Sequence, residues 1–151
     1  MTHPAWCFED FTAGHCFDVG SVTVDAAEVH DFATRYDPQP FHIDPDAAEK
    51  SIFGGVIASG WHTCSMMMRL VVDGYLRDSS SMGSPGIDEV RWLKPVRAGD
   101  VLRVTSTVLD VVPSKSKPDR GVVNSFWEAH NQHDELVATI KGRGLFMRRP
   151  T

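Results

Sequence analysis

Between Ser59 and Asp73 the chain carries Trp61, Cys64, Met66, Met67, Met68, Leu70, Val71 and Val72, apolar groups that reach nearly all the way round a helix. A helix without a wet face has to be buried on most sides. About fifteen residues at a rise of ~1.5 Å each make a rod of roughly 20 Å, and such a rod needs wrapping. The second half of the chain supplies it. Residues 86–97, 100–112, 121–131 and 136–148 read as strands rich in Val, Thr, Trp and Phe. Ala98-Gly99-Asp100, the Pro113–Asp119 loop and Asn131–Glu135 separate them, and connections this short make antiparallel neighbours. Residues 15–24 are expected to add a strand at the sheet edge. Ser114-Lys115-Ser116-Lys117 reads as a polar hairpin loop.

A long buried helix against a highly curved antiparallel sheet is the α+β layout of the hotdog fold. Residues 1–151 are expected to form one such domain, because no internal repeat or linker interrupts them. One copy covers only part of the central helix. A two-fold partner, with sheets joined edge to edge, would cover the rest and remove an exposed edge, so a homodimer is expected, with pairing of dimers left open. A net charge of −5 without a basic run argues against nucleic acid, and no apolar run approaches membrane-spanning length. Cys7, Cys16 and Cys64 are odd in number and outside any CxxC pattern. No signal-peptide pattern opens the chain, with Pro4, Glu9 and Asp10 breaking its first residues, so a reducing cytoplasm is the expected location.

The first half reads as helical. Asp25 with Glu28 has the spacing of a capping box, Val24 with Val29 that of a hydrophobic staple, and Val29, Phe32, Ala33 and Tyr36 recur at helical spacing. The helix predicted over 25–36 delivers Asp37 just past its end. Pro38 and Pro40 lack amide protons and push Asp37 and Gln39 towards extended geometry, so the segment is expected to be stiff and non-helical. On it stand a carboxylate, Asp37, and an imidazole, His42, five positions apart. A stiff segment holding both groups suits acid–base chemistry, which needs them aimed at one reacting atom. Asp44 and Pro45 mark a second, short helix that ends at Phe53-Gly54-Gly55.

Three blocks in order resemble the MaoC-like, (R)-specific enoyl-CoA hydratase branch of the hotdog superfamily. Asp37-Pro38-Gln39-Pro40-Phe41-His42-Ile43-Asp44 resembles its hydratase motif. Phe53-Gly54-Gly55-Val56-Ile57-Ala58-Ser59-Gly60 resembles the lead into the central helix, and Lys94-Pro95-Val96-Arg97-Ala98-Gly99-Asp100 the turn between the strands that follow. The resemblance covers most of the chain from about residue 20. It implies that Asp37 and His42 hold and activate one water, which adds to C3 of a trans-2-enoyl thioester while C2 takes a proton. Gly60 matches the glycine whose amide polarises the thioester carbonyl. A helix-start amide has no partner a turn earlier and lies at the positive end of the dipole, so it suits a developing enolate oxygen. Phe41, Ser59, Trp61 and Met68 are the candidate substrate contacts. The implied partner is an acyl-CoA or acyl-carrier thioester, with no metal or redox cofactor.

The chain departs from the family pattern at three points. Gln39 stands where Asn is usual, Ser59 where His is frequent before the helix glycine, and Met68 where a serine often lies. Ser59 lacks the glycine at position 57 that a nucleophile elbow needs, since Ile57 is there, and it reads as the N-cap of the buried helix. His62, close to Gly60, could face the site but reads rather as a packed or hydrogen-bonded histidine, and His130 and His133 as turn residues. Lys94, Arg97, Lys141 and Arg143 are candidates for coenzyme A phosphates or ordinary strand-surface charges. Two rival functions remain. A hotdog thioesterase often carries a carboxylate on the central helix, where this chain has only Asp73 near the far end. The other is a non-catalytic acyl-thioester-binding module.

Overall fold

The computed structural model describes residues 3–151. Its centre is α4 (Gly60–Val71), continued by a single π-helical turn, Val72–Leu76. Five antiparallel strands wrap it: β1 (Cys16–Thr23), β2 (Gly86–Trp92), β3 (Val101–Pro113), β4 (Arg120–His130) and β5 (Leu136–Met147), in the order β1-β3-β4-β5-β2. β1 and β2 are the two edges. Register shifts occur in every pairing, for instance between Asp18 and Ser21. Such bulges sharpen the bend that lets a sheet close round a helix. Gly20, at φ +92°, supplies the left-handed residue that the first of them needs.

One face of α4 supplies Met66 and Met67 to a core completed by Leu102 and Val104 of β3, Ala129 of β4 and Val137, Ala138 and Ile140 of β5. Met67 is wholly buried, which contributes about 1.5–3 kcal/mol. Ala129 and Ala138 are small enough to let the helix settle on the sheet. A second cluster of Phe8, Phe11, Tyr75, Val108, Val123 and Phe146 plugs the far end, and Val71 of α4 also packs there.

The helix does have a wet face in the single chain. Trp61, Ser65, Met68 and Arg69 are exposed, because the sheet curls round only one side. Met66 and Met67 are core and Met68 is not, as consecutive helical positions require. The strand expected over 86–97 stops at Trp92. Beyond it Leu93 and Lys94 both donate to the Val137 carbonyl, and Pro95, without an amide proton, cannot continue the ladder. The remaining strands begin and end within a residue of their expected limits.

α1 (Ala26–Tyr36) starts at Asp25, whose carboxylate accepts from Glu28 N at 2.9 Å. The reciprocal half of the expected capping box is missing, since the Glu28 carboxylate reaches His62 of α4. The stretch after α1 is not free of helix. α2 (Pro40–Ile43) is a single turn carrying His42, and α3 (Pro45–Glu49) follows. Pro40 occupies the first helical position, where its missing amide proton costs nothing and its fixed φ is already helical. Asp44 caps α3 as expected, accepting from Asp46 N and Ala47 N.

Candidate active site

Asp37 terminates α1, its N–H bonding Ala33 O at 2.8 Å, and Pro38 keeps it out of the helical basin. Its carboxylate is gripped from both sides. Gln39 Nε2 donates to Oδ1 at 2.7 Å and Ser59 Oγ donates to Oδ2 at 2.7 Å. His42 Nε2 stands 3.2 Å from the same Oδ2. Partial burial pushes the Asp37 carboxyl up, but the Gln39 and Ser59 hydrogen bonds and the neighbouring His42 outweigh it and hold its pKa below the ordinary carboxylate value.

His42 is buried, and its Nδ1 lies 2.7 Å from Ile57 O. A carbonyl only accepts, so Nδ1 carries a proton and Nε2 is the atom free to gain or lose one. Phe41 packs edge-on against the His42 ring, with centroids 4.5 Å apart, and contacts Phe53. The Asp37–His42 pair is thus braced by a carbonyl, an amide, a hydroxyl and an aromatic ring.

Gly60 opens α4 next to this pair. Its amide faces no helical carbonyl a turn earlier, and the helix dipole adds positive potential there. Trp92 of β2 packs against it: indole Nε1–H donates to Gly60 O at 3.0 Å, and a Cβ at position 60 would fall 2.4 Å from Trp92 Cε2. Trp61 meets Trp92 edge-to-face at 5.2 Å. Asp37, His42 and Gly60 share a cavity of about 460 Å³ with Trp61, Trp92 and Lys94 on its wall. Thr63, Phe53, Ile57 and Val96 also line it.

Of the residues singled out in the sequence, Asp37, His42, Gly60 and Trp61 come together on this cavity. Phe41 and Ser59 sit one layer behind, on His42 and Asp37 respectively. Ser59 is fully buried and occupies the N-cap position, but its hydroxyl makes no cap bond; it is spent on Asp37. Met68 lies elsewhere, in a second cavity of about 160 Å³ with Tyr75 and Ile87 near the other end of α4. Sequence reasoning passed over Trp92, Thr63 and Phe53 as lining residues. Trp92 bore no signal beyond strand propensity, because its role depends on a fold-level meeting with Gly60.

The basic residues are mostly committed. Arg97 donates to the carbonyls of Phe53 and Val56, and Arg143 pairs with Asp88 at 2.6 Å. Lys94 stands at the cavity wall and pairs with Glu135, while Lys141 is outside the lining. Among the described residues, no three His, Cys, Asp or Glu side chains cluster as metal ligands, and no helix is long and apolar enough to cross a membrane.

Replacing Ser59 by Ala removes one of the bonds that favour ionised Asp37, so its titration midpoint is expected to rise. Asp37 titrates lower folded than unfolded. It therefore contributes stability above the unfolded value, and that contribution is lost as pH falls through the folded one. Ser59→Ala should narrow this window. Carbon-13 carboxyl titration of both proteins checks it, and an unmoved midpoint would show that the Ser59 bond does not set the charge state.

A family model described as a MaoC like domain matches residues 12–126. The MaoC-like dehydratase from Rhodospirillum rubrum is 41% identical, with a TM-score of 0.87 over 97% of this chain and 100% of that one. Protein YdeM of Bacillus subtilis, described as uncharacterized, is 30% identical over 130 residues, 85% of this chain and 90% of its own. The 3-hydroxyacyl-thioester dehydratase Z of Mycobacterium tuberculosis is 34% identical over 92 residues, 60% of this chain and 61% of that protein. With its sheet wound round α4, its paired Asp37 and His42 and these likenesses, the chain is a hotdog-fold protein that belongs to the MaoC-like dehydratase family.

Proposed function

We propose that the protein adds water reversibly across the 2,3 double bond of a trans-2-enoyl thioester carried on coenzyme A or an acyl carrier. The observation that carries this reading is the 3.2 Å meeting of His42 Nε2 with Asp37 Oδ2 on a cavity that also contains the Gly60 amide. A water held by both Asp37 and His42 gives its proton to the Asp37 carboxylate as its oxygen bonds C3. Protonated Nε2 delivers a proton to C2, and the negative charge that builds on the thioester oxygen is met by the Gly60 N–H. Proton transfer from Asp37 to Nε2 across the short gap resets the site. Dehydration follows the same steps in reverse.

Hydrolysis of the thioester is less well supported. Asp73, the carboxylate that the central-helix stretch of the sequence carries, lies in the π-turn beyond α4 and is held by Arg69 and Arg77. A homodimer fits the exposed Trp61, Trp92 and Ile87, which stand on the open face of α4 and on edge strand β2. The unpaired Cys7, Cys16 and Cys64 suit a reducing cytoplasm.

The deciding experiment offers short, medium and branched trans-2-enoyl-CoAs to purified protein whose solution mass is measured by light scattering. Loss of enoyl absorbance is followed beside a free-thiol assay. Absorbance loss without thiol, from a protein of two-chain mass, is the expected result. Thiol release would transfer the chain to the thioesterases, and binding without turnover would make it an acyl-thioester-binding module.

A further inference from the structure

His62 is a buried, polar group that the reaction does not use. It occupies the first turn of α4, is 2% exposed, and lies two residues beyond Gly60. Its Nε2–H donates to Glu28 Oε1 of α1 at 2.9 Å, the carboxylate being able only to accept. Phe32, one turn further along α1, stacks on the imidazole face with centroids 4.8 Å apart and planes 11° from parallel. Nδ1 has no hydrogen-bond partner among the described residues, so the Glu28 bond carries the ring's whole polar accounting. Arg69, which faces the same groove, is engaged with Asp73 at 2.7 Å.

Glu28 has a local use available, the return half of its capping box, and instead reaches 34 positions along the chain. The bond therefore ties two helices rather than one helix end. Those helices bring the two halves of the site. α1 runs eleven residues without proline or glycine and ends on Asp37; α4 begins at Ser59-Gly60. The seam between them has two polar stitches, Glu28–His62 and Asp37–Ser59, of which only the second reaches the acid–base pair.

We propose that His62 is a positioning residue: gripped by Glu28 and Phe32, it sets the pose of α1 on α4 and so holds Asp37 within reach of Ser59 and His42. This rests on the reading of Asp37 as the acid–base carboxylate, but one part of its test does not need a substrate. Glu28 is 61% exposed at its side chain, so Glu28→Ala is expected to fold. In that variant the Asp37 carboxyl, followed by carbon-13 titration in the ligand-free protein, should titrate higher than in wild type, as the bonds that favour its ionised form loosen. Loss of a nearby negative charge acting only through space would lower it instead, so the sign separates the two causes. Glu28→Gln keeps an oxygen for Nε2–H while losing the same charge, so its midpoint should return to the wild-type value or fall slightly below it.

On the best enoyl thioester, kcat of Glu28→Ala should fall roughly 3- to 30-fold with KM nearly unchanged, and Glu28→Gln should recover it. An Asp37 midpoint that stays put or falls in Glu28→Ala, or a Gln variant as impaired as the Ala one, overturns the proposal. So does a lowered melting temperature with an unmoved midpoint, which would make the contact a stabilising one only. If wild type turns over no enoyl thioester, the catalytic reading fails while the Asp37 titration still decides the positioning one.

Discussion

Asp37→Asn and His42→Asn are each expected to reduce kcat/KM by about 10²–10⁴-fold on the best enoyl thioester, the range for losing one placed acid–base group. In Asp37→Asn the new side chain retains an oxygen and gains an amide beside Ser59 and Gln39, which already hold this position, so the fold should survive. The sharper expectation concerns the double variant. Asp37 and His42 sit 3.2 Å apart and, on the proposed mechanism, address one water, so removing both should cost little more than the worse single change. Losses that multiply would mean that the two groups act on separate atoms. Stopped assays beside melting temperatures for all four proteins provide the measurement. Single losses under about tenfold, in folded protein, would place the chemistry elsewhere.

Gly60→Ala should damage stability and turnover together although it adds only a methyl group. A Cβ there would lie 2.4 Å from Trp92 Cε2 and 2.7 Å from Nε1, so the indole has to leave, losing its bond to Gly60 O and its contact with Trp61. Alanine is the better helix former by up to ~1 kcal/mol, but overpacking costs about 1–3 kcal/mol, so the clash is expected to win. A melting temperature lower by roughly 2–8 °C follows for a domain of this size. If the amide shifts away from the thioester oxygen, kcat should fall by about 10²–10³-fold. Adding Trp92→Ala to Gly60→Ala removes the obstacle and should recover melting temperature relative to Gly60→Ala alone. A single variant that melts and turns over like wild type would show the indole to be a passive cover.

Much of this was legible in the residues, and the gaps have a common cause. The all-round apolar stretch announced α4, and Gly60 does open it. Asp44 and Pro45 announced α3, and turn residues fixed strand ends closely because those signals act within a few positions. What escaped depends on partners far along the chain. Glu28 looked like half of a local cap until His62 claimed it, and Ser59 looked like a cap until Asp37 did. Trp92 looked like mid-strand, and the strand ended there. Met68 looked like part of the lining beside the acid–base pair, yet the curl of the sheet directs it to the other cavity. Spacing tells which side chains share a face; it does not tell what that face will meet.

The Ser59–Asp37 bond closes a loop of chain at its base: everything between these residues leaves α1 and returns to α4 without contributing a strand. Its moorings to the rest of the molecule include Ala58 N on Val96 O and the Arg97 guanidinium on two carbonyls. No strand register depends on it. Changes at Asp37 and His42, which lie outside the core clusters, can therefore exchange or erase the groups proposed to handle protons while the sheet and its helix go on folding. A lineage built on such a scaffold has a separable cassette for chemistry. Descendants that lose Asp37 or His42 would remain well-folded proteins, available for recruitment to tasks that need the shape alone.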